Sequence, residues 1–308
     1  MAALSNQRVA YFNGRYVPEA EVVLPFRDQA VKTGDSTYDT TRTFGGKPFK
    51  LEQHIERLFN SLAYTGIDPG LSPEELMTIT REVVARNEHL RPQHGDWWVN
   101  QRFTRGLDAV GDEGWEPQAG PTVIVDCLPL PLRNRAPAFR NGIDLQVSPV
   151  RRTPPWALSP NAKMGNKLNH ILADRAVTVA NPAVWSLMLD EHGNIAEGKG
   201  SNIFFVRKGN LVTPRERYVL PGISRQTVIE LAKSLGIPFE EADVDMFAAA
   251  NADEIFMTGS SFCLCPARTL NGSRVGRGPL PGPVTARLTK AYIDLAGMDF
   301  VAQALNAA

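Results

Sequence analysis

Ile195-Ala196-Glu197-Gly198-Lys199-Gly200-Ser201-Asn202, and after it Leu220-Pro221-Gly222-Ile223-Ser224-Arg225, are the two strings whose reading decides the fold. The first lies in a region, 185–213, that reads as strand, turn and strand again, with turns at His192-Gly193-Asn194 and Lys208-Gly209-Asn210. Glu197 falls between two strands, and the glycines beside it mark tight backbone that another group can approach closely. On local grounds alone it reads as a charged hairpin loop. The second string stands directly before a helical segment, 224–235, whose apolar face is Val228, Leu231, Ala232 and Leu235 and which Gly236 closes. Ser224 suits the N-cap, and Gly222 lets the chain bend close to whatever lies at the helix start. Unpaired N–H groups and the positive end of the helix dipole make such a start a ready anion site, best suited to phosphate. Taken alone, the string requires no more than a capped helix.

Working outward, the remaining segments mix strands and helices without strict alternation. Val9-Ala10-Tyr11-Phe12, the turn Asn13-Gly14 and residues 15–17 read as an opening hairpin. Ile55, Leu58, Phe59 and Leu62 make one helical face over 51–65, and a second helix fits 73–87 with Ser72 as N-cap and Pro73 at its first position. Residues 97–104 and 122–128 read as strands, 142–150 resumes strand character, 165–180 reads as helix and 254–259 as a further strand. Between them, Leu128-Pro129-Leu130-Pro131 with Arg133, Arg135 and Pro137 interrupts both helix and ladder. The expected organisation is therefore an α+β chain of two domains, 1–127 and 137–308, joined by a linker at 128–136.

The bulk composition narrows the function. The 308 residues carry 33 Lys plus Arg against 33 Asp plus Glu, a formal net charge of zero. Nucleic-acid binders need a basic surplus, so no nucleic-acid partner is expected. No apolar run approaches the ~20 residues that span a bilayer, and Met1 to Val9 lacks the apolar core of a signal peptide. No membrane association is expected, and the cytoplasm is the default compartment. Cys127, Cys263 and Cys265 are too few for a disulfide framework and read as packing residues. No metal site is expected.

Three further strings could carry chemistry. Met257-Thr258-Gly259-Ser260-Ser261 ends a strand with a hydroxyl-rich loop that can offer donors to a phosphate. Arg57, in His54-Ile55-Glu56-Arg57-Leu58, adjoins the apolar face of its helix, where a guanidinium can grip phosphate bidentately or simply be solvated. Lys163 and Lys167 follow a proline-rich loop and open a helix.

In order and spacing, Lys163-Met164-Gly165-Asn166, the Glu197 string, the Gly222 string and Phe256-Met257-Thr258-Gly259-Ser260 resemble the class IV (fold type IV) aminotransferases, from about Tyr11 to about Leu280. The resemblance extends to branched-chain amino acid and (R)-amine transaminases. It implies a small N-terminal α/β lobe, a larger β-barrel-like C-terminal lobe with helices, and pyridoxal 5′-phosphate as cofactor. By motif position, Lys163 is the Schiff-base lysine and Glu197 the carboxylate beside the pyridine nitrogen. The backbone of Ile223 and Ser224, with Arg57 and Ser260, holds the phosphate. One departure is Lys167, where branched-chain enzymes place a tyrosine against the cofactor's ring hydroxyl. The resemblance also implies at least a homodimer, with the segment from Leu107 to Gly111 reaching a neighbouring subunit.

For the substrate the signals are mixed. Ser36-Thr37-Tyr38-Asp39 and Thr104-Arg105-Gly106-Leu107 look like (R)-amine transaminases, and Asn100 stands where branched-chain enzymes keep an arginine. Tyr38, Trp98, Asn100, Arg105 and Ser261, with Phe262 as a further wall, are the candidate substrate residues, although Tyr38 and Trp98 suit a core equally. The expected reaction moves an amino group from a hydrophobic amino acid or (R)-amine to a 2-oxo acid. A D-amino acid transaminase and a lyase of the aminodeoxychorismate type are the alternatives.

Overall fold

The computed structural model describes residues 7–110 and 119–307. The chain divides into two compact units, Met1–Leu130 with Ala162–Asn166, and Pro131–Asn161 with Lys167–Ala308.

The first unit opens with the expected hairpin, β1 (Val9–Phe12) and β2 (Arg15–Pro18), whose turn residues Asn13 and Gly14 take φ of 44° and 87°. Positive φ at both positions matches the twist of the flanking strands. Next come α1 (Gln29–Lys32), β3 (Ser36–Phe44), β4 (Lys47–Pro48), α2 (Leu51–Thr65), α3 (Pro73–Asn87), β5 (Trp97–Thr104) and β6 (Thr122–Pro129). The start of α3 is a capping box: Ser72 Oγ accepts from the Glu75 amide at 3.2 Å, and the Glu75 carboxylate accepts from the Ser72 amide at 2.7 Å. The strands form one sheet in the order β2-β1-β6-β5-β3-β4. Leu58 and Leu62 of α2 and Leu76 and Val83 of α3 pack against Trp97, Val99 and Phe103 of β5. By strand alternation Trp98, Asn100 and Arg102 face the other way.

The second unit contains α4 (Leu132–Asn141), β7 (Ile143–Val147), α5 (Leu168–Thr178), β8 (Trp185–Leu189), β9 (Ile195–Gly198), β10 (Asn202–Arg207) and β11 (Asn210–Pro214). These are followed by α6 (Ile223–Ser234), β12 (Phe239–Ala242), α7 (Met246–Ala250), β13 (Glu254–Gly259), β14 (Cys263–Leu270), β15 (Ser273–Arg274), α8 (Pro283–Ala296) and α9 (Phe300–Asn306). The sheet runs β12-β11-β10-β13-β14-β7-β8-β9, with β15 on β14. A bridge between Gly198 and Ser201 returns the end strand β9 to β10, so the sheet curls on itself. Glu197 and Asn202 flank that closure.

Several expectations change. The boundary between the units, Leu130 to Pro131, falls within 128–136, but the prolines there do not interrupt the elements as expected: Leu128 and Pro129 end β6, and Leu132 onward forms α4 with Pro137 inside it. Burial of Leu132 and Ala136, one helical turn apart, and packing of α4 on α9 and β14 outweigh the lost hydrogen bond. Ala162–Asn166 groups with the first unit, not with the C-terminal domain. Ser224 is not the cap of α6; Gly222 holds that position with extended backbone, and Ser224 lies inside the helix. Glu197 is within β9, not in a loop between strands.

Candidate active site

In the first unit the Lys163 segment lies along the start of β3. Tyr38 N donates to Lys163 O at 3.1 Å, Gly165 N donates to Ser36 O at 2.6 Å, and Lys163 N donates to Ser61 Oγ at 2.9 Å. A Cβ on Gly165 would overlap Ser36 Oγ, which explains the glycine in the string. Clamped from both sides, Lys163 carries its Nζ 4.6 Å from the centroid of the Tyr38 ring. Lys163 thus sits on an extended segment and does not open a helix, since α5 begins only at Leu168.

Arg57 is buried, not solvated. It makes a fork with Asp39: Nε donates to Oδ2 and Nη2 to Oδ1, both at 2.8 Å. His54 Nδ1 is 2.7 Å from the same Oδ1. Burial alone would raise the Asp39 pKa, but Arg57 and His54 hold it far below the usual carboxylate range. Burial lowers the His54 pKa. Asp39 and His54 escaped the sequence reading because nothing in a strand residue and a helix residue announces that they meet.

The candidate substrate residues of this unit separate. Tyr38 and Trp98 are half-buried and lie off the core, on the sheet face away from α2 and α3. Asn100 shares that face; its Oδ1 accepts from Thr40 Oγ1 at 3.0 Å and its Nδ2 donates to Asp126 Oδ2 at 2.9 Å. Arg105 does not join them. Its guanidinium pairs with Asp35 and donates to the carbonyls of Thr65 at 2.7 Å and Gly66 at 3.0 Å, clasping the end of α2. Those donors belong to the fold, because the last carbonyls of a helix lack internal partners.

In the second unit Glu197 is buried among donors. Arg152 Nε donates to Oε1 at 2.8 Å, His170 Nε2 lies 3.3 Å from the same oxygen, and the Leu220 amide donates to Oε2 at 2.9 Å. Burial pushes the Glu197 pKa up, yet His170 and Arg152 outweigh it and bring the value to about 2. The Leu220 bond ties the Glu197 string to the Gly222 string, and Asn202 doubles the tie by donating from Nδ2 to Leu220 O at 2.9 Å. A Cβ on Gly222 would overlap Asn202 Oδ1, so the glycine is needed for this contact. Arg152 and His170 were not singled out in the sequence. Lys167, the departure noted above, stands at the N-cap of α5 and adds positive charge near Glu197.

The first amides of α6, from Ile223 and Ser224, have no acceptor within the helix. Ser224 Oγ accepts from Tyr292 at 3.4 Å. Ser260 is half-buried in the turn after β13, and Ser261 is buried. Phe262 is a core residue packed edge-to-face on Trp185.

A family model described as amino-transferase class IV matches residues 36–270. The chain belongs to the class IV aminotransferases. A branched-chain-amino-acid aminotransferase of Escherichia coli is 31% identical over 92% of this chain and 92% of its own length. A crystal structure of the E. coli branched-chain amino acid aminotransferase superposes with a TM-score of 0.85 at 30% identity, covering 94% of this chain and 95% of that one. A second branched-chain amino acid aminotransferase, from T.th., complexed with N-(5′-phosphopyridoxyl)-L-glutamate, gives 0.82 at 30% identity, with 94% of each chain covered. This class IV aminotransferase is therefore a pyridoxal-phosphate-dependent transferase of fold type IV.

One observation tests whether the second unit fits the cofactor's phosphate. Thr258 Oγ1 is buried and has no hydrogen-bond partner among the described residues. Thr258 pairs across the strands with Asn202, the residue that touches Gly222, so its hydroxyl lies on the face leading to the start of α6. A buried hydroxyl left without a partner costs about 1–3 kcal/mol, which a phosphate oxygen would relieve. The residues fit the group.

Proposed function

We propose that this aminotransferase takes its amino group from a hydrophobic amino acid of the branched-chain type, passes it to a 2-oxo acid, and also accepts (R)-amines. The observation that carries the reading is the sheet face of Tyr38, Trp98 and Asn100, where the Tyr38 ring stands beside Lys163 Nζ and the Asn100 amide is already committed to Thr40 and Asp126. Apolar walls favour a hydrophobic side chain, with each buried methylene contributing about 0.8 kcal/mol. The names of the relatives support the amino acid half of the assignment.

In this reading Lys163 holds the cofactor covalently and moves the proton at the substrate Cα. When bound, pyridoxal phosphate supplies a ring that accepts the electrons released at that carbon. Glu197, kept ionised by Arg152 and His170, keeps a proton on the pyridine nitrogen. The amides of Ile223 and Ser224, the Ser260 hydroxyl and Arg57 hold the phosphate. Ser261 lies beside the substrate. The protein works in the cytoplasm as at least a homodimer, with the segment from Leu107 toward Gly111 contributing to the neighbouring subunit. Leu107 is bridged to Ala119, while Gly111 lies outside the described residues.

A donor panel tests the substrate: L-leucine, (R)- and (S)-1-phenylethylamine, D-alanine and D-glutamate, each with 2-oxoglutarate or pyruvate as acceptor. We expect turnover of L-leucine and measurable turnover of the (R)-amine over the (S)-amine. Activity confined to the D-amino acids would overturn the reading.

A further inference from the structure

Arg102 lies one same-face step along β5 from Asn100 and stands opposite Tyr38 of β3 in the sheet register. Its guanidinium is 5.4 Å from the centroid of the Tyr38 ring, the same ring whose centroid is 4.6 Å from Lys163 Nζ. One aromatic side chain thus gathers the reactive amine and a permanent cation. Three other arginines of this unit have partners of their own: Arg57 is forked on Asp39 and is the one assigned to the phosphate, Arg105 is spent on Asp35 and the end of α2, and Arg42 is buried beside Asp96 and over the Phe44 ring.

Arg102 differs. Its side chain is 47% exposed, and its one ion pair among the described residues is with Asp126 at 3.7 Å, beyond hydrogen-bond length. That carboxylate already accepts the Asn100 amide. A guanidinium in this state keeps donors for a planar anion, and a carboxylate matches the fork.

We propose that Arg102 is the anchor for a substrate carboxylate, taking on the charge recognition that Asn100 cannot provide. The inference rests on the reading of Lys163 as the reactive amine. Two carboxylates share this chemistry, the α-carboxylate of any amino acid and the side-chain carboxylate of glutamate or 2-oxoglutarate. Asn100 holds Asp126 in place, so the acid that partners Arg102 in the free protein stays aside when a substrate anion competes for the guanidinium.

The test compares the parent holoenzyme with Arg102→Gln and Arg102→Lys on L-leucine, L-glutamate and (R)-1-phenylethylamine, reading kcat/KM for each amino acid as a ratio to that for the amine. A second readout titrates 4-methylvalerate, and neutral 4-methylvaleramide as control, against the cofactor absorbance. We expect Arg102→Gln to lower the leucine-to-amine ratio roughly 10- to 100-fold and to weaken 4-methylvalerate but not the amide, with Arg102→Lys between. A fall confined to L-glutamate would support the anchor and assign it to the side-chain carboxylate. An equal change on all three donors, or none, would overturn it. A parent enzyme that turns over none of these donors would count against the functional reading instead, and the 4-methylvalerate titration would still decide the role of Arg102.

Discussion

Glu197 is a carboxylate that must stay charged in a place where burial opposes charge, and two cationic or donor side chains and one backbone amide keep it so. Its pKa is lowered from 4.5 to about 2, so its contribution to stability is complete above about pH 4.5 and is lost as the pH falls toward 2. Glu197→Gln should flatten that acid limb of the stability curve, measured by thermal denaturation between pH 2 and 6. The variant should still bind cofactor but turn over far more slowly, because an amide cannot hold the ring nitrogen protonated; parent-like turnover would show that Glu197 is misassigned. The motif nominated Lys163 and Glu197, whereas nothing in the sequence announced the partners of Glu197. Arg152 and His170 lie 45 and 27 residues from it in sequence, and only the fold brings them together. The Lys163 assignment has its own check. Borohydride reduction of the holoenzyme followed by peptide mapping should place the pyridoxyl group on Lys163; finding it on Lys167 or Lys199 would refute the assignment.

Among elements, those with local signals were legible to their boundaries. Helices α2 and α3 carry apolar residues at helical spacing, and α3 has a complete capping box; β5 and β13 have strand-forming runs bounded by turns. Elements decided by distant packing were missed. Helix α4 forms through Pro137 because α9 and β14 cover it, and Ser224 loses the cap to Gly222 because Asn202 comes from β10 to lie against that glycine. Gly222→Ala tests that contact. The new Cβ must displace the Asn202 side chain and with it the bond to Leu220 O, shifting the start of α6. Losing one buried hydrogen bond of about 1–1.5 kcal/mol corresponds to roughly tenfold weaker cofactor binding in an equilibrium titration. Unchanged affinity would mean that the start of α6 does not hold the phosphate.

At the scale of the whole molecule, the curled second sheet followed from four short strings in the right order through the family they resemble, although no string specified a sheet order. The most legible strings are those where backbone comes close to a neighbouring chain segment: Gly165 against Ser36, Gly198 at the β9–β10 closure and Gly222 against Asn202. Among the described residues no helix is long and apolar enough to cross a membrane. Assembly belongs to this scale, and light scattering at assay concentration should return at least twice the 33.8 kDa chain mass. An active monomer would contradict the shared-site expectation. The central claim, that this chain transfers an amino group and retains it on the cofactor until a 2-oxo acid arrives, is tested most directly by a single half-reaction. Holoenzyme is mixed with L-leucine in the absence of any acceptor, and the products are counted. The account predicts one 4-methyl-2-oxopentanoate per active site, loss of the yellow colour and no free ammonia, with the colour restored by 2-oxoglutarate. Ammonia release, or no oxo acid from leucine at all, would contradict it.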